Sequence, residues 1–194
     1  MREAFAAGQL DFGENYVQEA LAKIAELADV RDQLRWHLIG PLQSNKAREV
    51  AANFDWVHAV DRMKLAQRLS DLRPPGMAPL QVCLQVNISG EDSKSGVAPE
   101  SALALAREVS TLPRLKLRGL MAIPEPAGDL AAQRAPHRAL RKLFEALNSE
   151  GLGLDTLSIG MSADLEAAVA EGATWVRVGT AIFGSRPAKS EPTP

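Results

Sequence analysis

Leu80-Gln81-Val82-Cys83-Leu84-Gln85-Val86-Asn87-Ile88 is a near-continuous apolar run, rich in Val and Leu, and its reading decides the fold. A strand with one wet face alternates polar and apolar residues; a strand covered on both faces does not, and such strands belong to parallel sheets flanked by helices. The chain on either side repeats that logic. Downstream, a polar loop over 89–96 leads to a helix opening near Pro99, a favoured first-turn residue. Residues 115–123 form the next strand. Past the Pro124 and Pro126 loop, Leu140, Leu143, Phe144 and Leu147 mark one buried helical face. Residues 154–158 then read as a strand, 162–170 as a helix and 174–178 as a last strand. Upstream, Pro74-Pro75-Gly76 breaks the chain after a helix over 62–72, and residues 56–60 are a strand. Before them come a helix over 45–52 and a strand over 36–39 closed by Gly40-Pro41. Val17, Leu21, Ile24 and Ala28 at helical spacing follow a short strand over 11–14.

Seven strands, each with a helical piece after it, imply right-handed βα units on a parallel sheet. The closed solution for such units is the eight-stranded (β/α)8 TIM barrel. The opening residues, from Met1 to Gly8, read as the tail of a helix, so the expected arrangement is a barrel whose first strand lies upstream of Met1. An open, doubly wound sheet stands as the alternative, and no G-x-G-x-x-G follows any strand to support a dinucleotide site. The expected layout is one barrel domain over 1–185 and a disordered tail, rich in Pro, Ser and Lys, over 186–194.

Bulk properties exclude several classes. The 194 residues are 46% hydrophobic and 24% charged with a net charge of −2, so no basic surface calls for nucleic acid. Arg114, Lys116 and Arg118 alternate with apolar residues, as one face of a strand does. Cys83 is the single cysteine, which leaves no disulfide framework and fits a reducing cytoplasm. No apolar run reaches the roughly 18 residues that span a bilayer, and the N-terminus lacks a signal-peptide pattern.

Ligands of parallel barrels bind on the loops after the strands, phosphates often after the last two. Leu157-Ser158-Ile159-Gly160-Met161-Ser162 and Arg177-Val178-Gly179-Thr180 are strand-to-helix turns of small residues, hydroxyls and free backbone N–H groups, which suit an anion. Ser162 serves equally as a helix N-cap, with Asp164 complementing the dipole, and Gly179 as a packing glycine. Arg177, on a strand expected to be buried on both faces, is either ligand-facing or paired with a neighbouring carboxylate. His37 and His58, on consecutive strands, read as hydrogen-bonded strand histidines with no third metal ligand. Glu14 and Asn15 face a ligand or cap the next helix. Met161 and Met121 read as core fillers, and Lys94 as either a solvated loop residue or one that reaches the barrel mouth.

Six motifs in order resemble the pyridoxal-phosphate homeostasis proteins, relatives of the alanine racemase barrel domain. They are Phe12-Gly13-Glu14-Asn15-Tyr16-Val17-Gln18-Glu19, Trp36-His37-Leu38-Ile39-Gly40-Pro41-Leu42-Gln43-Ser44-Asn45-Lys46 and Val86-Asn87-Ile88-Ser89-Gly90-Glu91-Asp92-Ser93-Lys94-Ser95-Gly96, then Gly119-Leu120-Met121, Gly160-Met161-Ser162 and Arg177-Val178-Gly179-Thr180-Ala181-Ile182-Phe183-Gly184. The resemblance implies pyridoxal 5′-phosphate as cofactor, its phosphate on Ser162 and Gly179-Thr180, and Arg177 facing the pyridine nitrogen. A permanent cation there weakens the cofactor as an electron sink, which fits a carrier better than a catalyst. Met161, Ser158, Asn87, His37, Asn15 and Lys94 complete the expected cofactor-binding set. The family's Schiff-base lysine lies in a Ser-Lys-Thr-Lys-Pro-like motif on the first strand, which is not in this sequence.

The expectation is therefore a cytoplasmic monomer that buffers pyridoxal phosphate or delivers it to apoenzymes that require it, without contact with nucleic acid or membrane. The rival is an amino-acid racemase-like enzyme, which needs a second acid–base group, commonly a tyrosine from an added β-domain; Tyr16 is the single tyrosine. A phosphate-binding metabolic barrel without this cofactor is the third reading.

Overall fold

The structure is a computed structural model and describes residues 1–90 and 95–184. Lys94 and the expected tail over 186–194 lie outside the described residues. A short helix α1 (Arg2–Ala6) precedes the repeating units. The strands are β1 (Asp11–Glu14), β2 (Arg35–Leu38), β3 (Trp56–Val60), β4 (Leu80–Gln85), β5 (Leu115–Met121), β6 (Thr156–Met161) and β7 (Trp175–Arg177). Each leads to a helix: α2 (Val17–Glu26), α3 (Ala47–Asn53), α4 (Met63–Leu72), α5 (Ala102–Ser110), α6 (Leu130–Ser149), α7 (Leu165–Ala170) and α8 (Thr180–Phe183).

All pairings are parallel and the spatial order is the chain order, β1 to β7. A doubly wound sheet reverses its order at a switch point; this one does not. It curls instead, because the His37 ring on β2 lies 4.9 Å from the Trp175 ring on β7. The His58 ring on β3 likewise reaches Ser158 on β6. The seven strands form a nearly closed barrel of the alanine racemase type, with the helices outside.

Side-chain alternation sorts the two faces of the sheet. Trp36, Leu38, Val57, Val82, Leu84, Leu120, Leu157 and Ile159 turn outward and join Ala20, Val50, Leu65, Leu69, Ala106 and Leu140 of the helices in one buried core. At about 25 cal/mol per Å2 of apolar surface removed from water, this layer is the main stabilising term. The residues between them, including His37, His58, Ser158 and Cys83, turn inward and are buried. Where the sequence predicts the strand over 80–88, β4 stops at Gln85. There the Asn87 N–H donates to the Val97 carbonyl and the Val97 N–H to the Gln85 carbonyl, so the ladder passes to a returning loop.

Arg177 departs from the expected double burial. β7 is the last strand of the sheet among the described residues, and the outward Val176 is 38% exposed. Only its inward face is covered.

Two contacts carry predictions. A Cβ at Gly119 would stand 1.7 Å from the Thr156 carbonyl oxygen, so β5 and β6 pair at a distance only glycine allows. Gly119→Ala should cost at least about 1–3 kcal/mol of stability, as overpacking does; thermal melting checks it, and an unchanged midpoint would show that the strands separate freely. The second contact joins α6 to the end of α7. Glu171, 2% exposed, is held by Arg138, Arg134 and Arg141, and its pKa falls to about 2. A depressed carboxylate stabilises the fold in full above its ordinary value near 4.5 and ceases to as pH falls toward about 2. Glu171→Gln should melt below the parent at pH 7, with the gap closing as the pH is lowered through that window. A gap independent of pH would assign the effect to packing.

Candidate functional site

β6 and β7 build the site because their pairing sets Met161 opposite Arg177, so the turns after the two strands lie side by side. The sulfur of Met161 sits 3.2 Å from Arg177 Nε. Arg177 Nη1 faces both the carbonyl and the hydroxyl oxygen of Ser158 at 3.3 Å, and Nη2 donates to the Ala122 carbonyl at 2.9 Å. Nη2 carries a second N–H with no partner among the described residues. No carboxylate among those residues pairs with this guanidinium, which answers the ion-pair alternative. Burial pulls its pKa down to about 10.

A buried arginine elsewhere, Arg73, shows that the half-buried environment of Arg177 is not generic. Arg73 donates to the Ala78, Ala51 and Phe54 carbonyls at 2.7–2.9 Å and closes the ends of α3 and α4. Its hydrogen bonds are short and numerous. Arg177 makes one short hydrogen bond and several long ones, so its hydrogen-bonding capacity is under-used in a place where charge is costly to bury.

Ser162 follows Met161 directly. It is exposed, and its hydroxyl makes no hydrogen bond among the described residues. The N-cap position of α7 belongs to Asp164, not Ser162, and the helix starts at Leu165 where the sequence predicts 162. The Asp164 carboxylate accepts the Met161 N–H at 2.6 Å and lies 2.9 Å from Nε2 of the buried His137. On the neighbouring turn, the Gly179 carbonyl accepts from Ile182 and Phe183 to open α8, and Thr180 is exposed.

The other expected residues divide into near and far. Asn87 ends the β4 side and lines a cleft of about 290 Å3 with Gln85, Ile88, Ser89, Ser95 and Ile123; Ile123 adjoins the Ala122 that holds Arg177. Asn15 is remote from the arginine in its contacts: its carbonyl packs where a Cβ on Gly40 would come within 2.2 Å, fixing the turns after β1 and β2. Glu14 neither caps a helix nor faces the site, since Lys23 holds it at 2.7 Å.

His37 is connected to Arg177 through His58 and Ser158. The two histidines are hydrogen-bonded strand residues, as expected, whereas the sequence marks Asp11, at the other end, only as a strand residue. His37 Nε2 meets Asp11 Oδ1 at 3.1 Å, its Nδ1 meets His58 Nε2 at 2.9 Å, and His58 Nδ1 meets Ser158 Oγ at 2.8 Å. Arg35 grips both Asp11 oxygens, at 2.5 and 2.6 Å. Burial opposes it, yet these hydrogen bonds from Arg35 and His37 hold the Asp11 carboxyl well below the usual carboxylate range. Burial first, then the electrostatic influence of the neighbouring His37 and Arg177, holds the His58 pKa well below the ordinary histidine value. Trp56 and Trp175 enclose His37, with ring centroids 5.4 and 4.9 Å away. Cys83 is buried nearby, and burial pushes its thiol up.

A parallel barrel with its polar groups gathered after the last two strands is the arrangement of the alanine racemase N-terminal domain, and the model of that family matches residues 1–187. The alanine racemase of Clostridium difficile shares the fold with a TM-score of 0.72 at 15% identity, over 95% of this chain and 47% of that one. Closer likeness singles out one branch. The chain is 66% identical over 186 residues to the pyridoxal phosphate homeostasis protein of Pseudomonas aeruginosa, covering 96% of this chain and 79% of that protein. The Escherichia coli protein of the same name is 52% identical over 185 residues, covering 95% and 79%. PipY of Synechococcus elongatus, solved with pyridoxal phosphate bound, superposes with a TM-score of 0.85 at 44% identity over 94% of this chain and 85% of PipY. The chain belongs to the pyridoxal phosphate homeostasis protein family.

Proposed function

We propose that this chain binds pyridoxal 5′-phosphate at the ends of β6 and β7 and serves vitamin B6 homeostasis by holding the cofactor and passing it on. The observation that carries the reading is Arg177, a guanidinium largely withdrawn from water that, among the described residues, has no carboxylate partner and an unused Nη2–H. It fits a neutral ring-nitrogen acceptor better than a second cation. The exposed hydroxyls of Ser162 and Thr180, together with the backbone beside Gly179, fit the phosphate.

When bound, the cofactor supplies a reactive aldehyde on an electron-withdrawing ring. The chain's own residues then act by position. Ser162 and Thr180 donate to the phosphate and set its place at the rim. Arg177 donates to the ring nitrogen and, as a fixed cation, disfavours a proton there. Ser158 and the Ala122 carbonyl hold Arg177 in that role, Met161 packs against its Nε, and Asn87 lines the neighbouring wall.

The names of the relatives support homeostasis as the purpose, and PipY with its bound cofactor supports the ligand. Transfer to apoenzymes from a cytoplasmic monomer belongs to the same reading. A single cysteine kept as a buried free thiol is compatible with a reducing compartment. No helix of the described residues is long and apolar enough to cross a membrane.

Hydrogen bonds to a charged group contribute roughly 1.5–3 kcal/mol each. Ser162→Ala with Thr180→Val should therefore weaken pyridoxal phosphate binding by at least about tenfold, measured by calorimetric titration. The melting midpoint should be unchanged, because neither hydroxyl has a hydrogen-bond partner among the described residues. Unaltered affinity would move the phosphate elsewhere.

A further inference from the structure

The barrel interior holds a hydrogen-bonded chain, Asp11, His37, His58, Ser158 and Arg177, of which the binding reading uses only the last two members. It crosses from β1 through β2 and β3 to β6 and β7, and its two imidazoles are 3% and 2% exposed. We propose that Asp11, His37 and His58 are positioning residues, a polarised relay that fixes the Ser158 hydroxyl and through it orients Arg177 toward the cofactor. The proposal rests on the binding reading for its ligand.

Donor and acceptor chemistry sets the direction. Asp11 is ionised, so it accepts only, and His37 must carry its proton on Nε2. With His37 neutral, as proposed, its Nδ1 presents a lone pair, which requires the proton of His58 on Nε2. His58 Nδ1 is left as an acceptor, and the only hydrogen available to it is that of the Ser158 hydroxyl. With its O–H committed to His58, Ser158 Oγ turns lone pairs to Arg177 Nη1. One carboxylate therefore determines the hydroxyl direction three groups away. His58 resists the proton that would break this order, since burial and the neighbouring His37 and Arg177 disfavour its charged form. Moving the His37 proton to Nδ1 would invert the chain: His58 would then donate to Ser158, whose own O–H would turn toward Arg177 and repel a donor.

The surroundings hold the rings still. Trp56 stacks on His37 with an interplanar angle of 12°, Trp175 packs against the same ring at 4.9 Å, and Arg118 lies 5.0 Å over the Trp56 ring. Arg35 anchors Asp11, so the relay begins on a fixed charge.

Two measurements test the relay. In the first, long-range 1H–15N correlation spectra of the ligand-free full chain at neutral pH read the tautomers directly. Protons on Nε2 of both His37 and His58 are expected; a proton on Nδ1 of either ring, or a mixture, overturns the proposal. The second compares affinities for pyridoxal phosphate and for inorganic phosphate. His58→Leu should lower the ratio of the two by about threefold to tenfold, the effect of one neutral hydrogen bond. His58→Gln, which keeps a donor and an acceptor, should recover most of it. A ratio unchanged in His58→Leu removes Arg177 as the target of the relay. Absence of pyridoxal phosphate binding in the parent chain would instead refute the binding reading, and the tautomers would still decide the relay.

Discussion

A positive charge held toward the inside of the barrel, with no carboxylate paired to it among the described residues, is the constraint on which the interior depends. Burying an ion costs several kcal/mol unless polar groups replace its water. Arg177 receives those groups from two strands: Ser158 and Met161 from β6, and the Ala122 carbonyl just past the end of β5. Each is supplied by register. Pairing Met161 with Arg177 and Gly119 with Thr156 brings these oxygens around the guanidinium, and the close approach at Gly119 keeps the two strands at the distance required.

The outer layer makes this possible. Helices α2 to α7 cover the outward side chains of the strands in one apolar core, so the inward side chains need not supply the stability of the fold. The interior can then be polar and aromatic, with two histidines and two tryptophans where a purely structural barrel packs branched aliphatics. The cost of those polar groups is contained because each imidazole nitrogen of His37 and His58 has a partner.

Much of the fold was legible in sequence because parallel strands are apolar runs and the helices between them keep a 3.6-residue period. The 80–88 run, the Gly40-Pro41 stop and the Pro74-Pro75-Gly76 break all mark real boundaries to within a few residues. Ser162, Gly179-Thr180 and Arg177 were legible by position, as the polar ends of the last two strands. What sequence could not give was closure. His58 and Ser158 are 100 positions apart, and their contact exists only once the sheet has curled. Irregular pairing between Val57 and Val60 turns side chains in a way that strict alternation does not forecast. For the same reason Trp175 read as an ordinary strand residue and Asp11 as a strand start, although both shape the environment of His37. Asp164 was legible as an acid in a first turn, but not as the acceptor of the Met161 N–H.

The account stands on Arg177 facing a neutral ring nitrogen. The most direct measurement is the 15N chemical shift of the pyridine nitrogen in 15N-labelled pyridoxal phosphate bound to the full chain at neutral pH. A permanent guanidinium donor beside that atom predicts the shift of an unprotonated, hydrogen-bonded pyridine. The shift of a protonated pyridinium would contradict it, because it would require a carboxylate, and not Arg177, at that end of the ring.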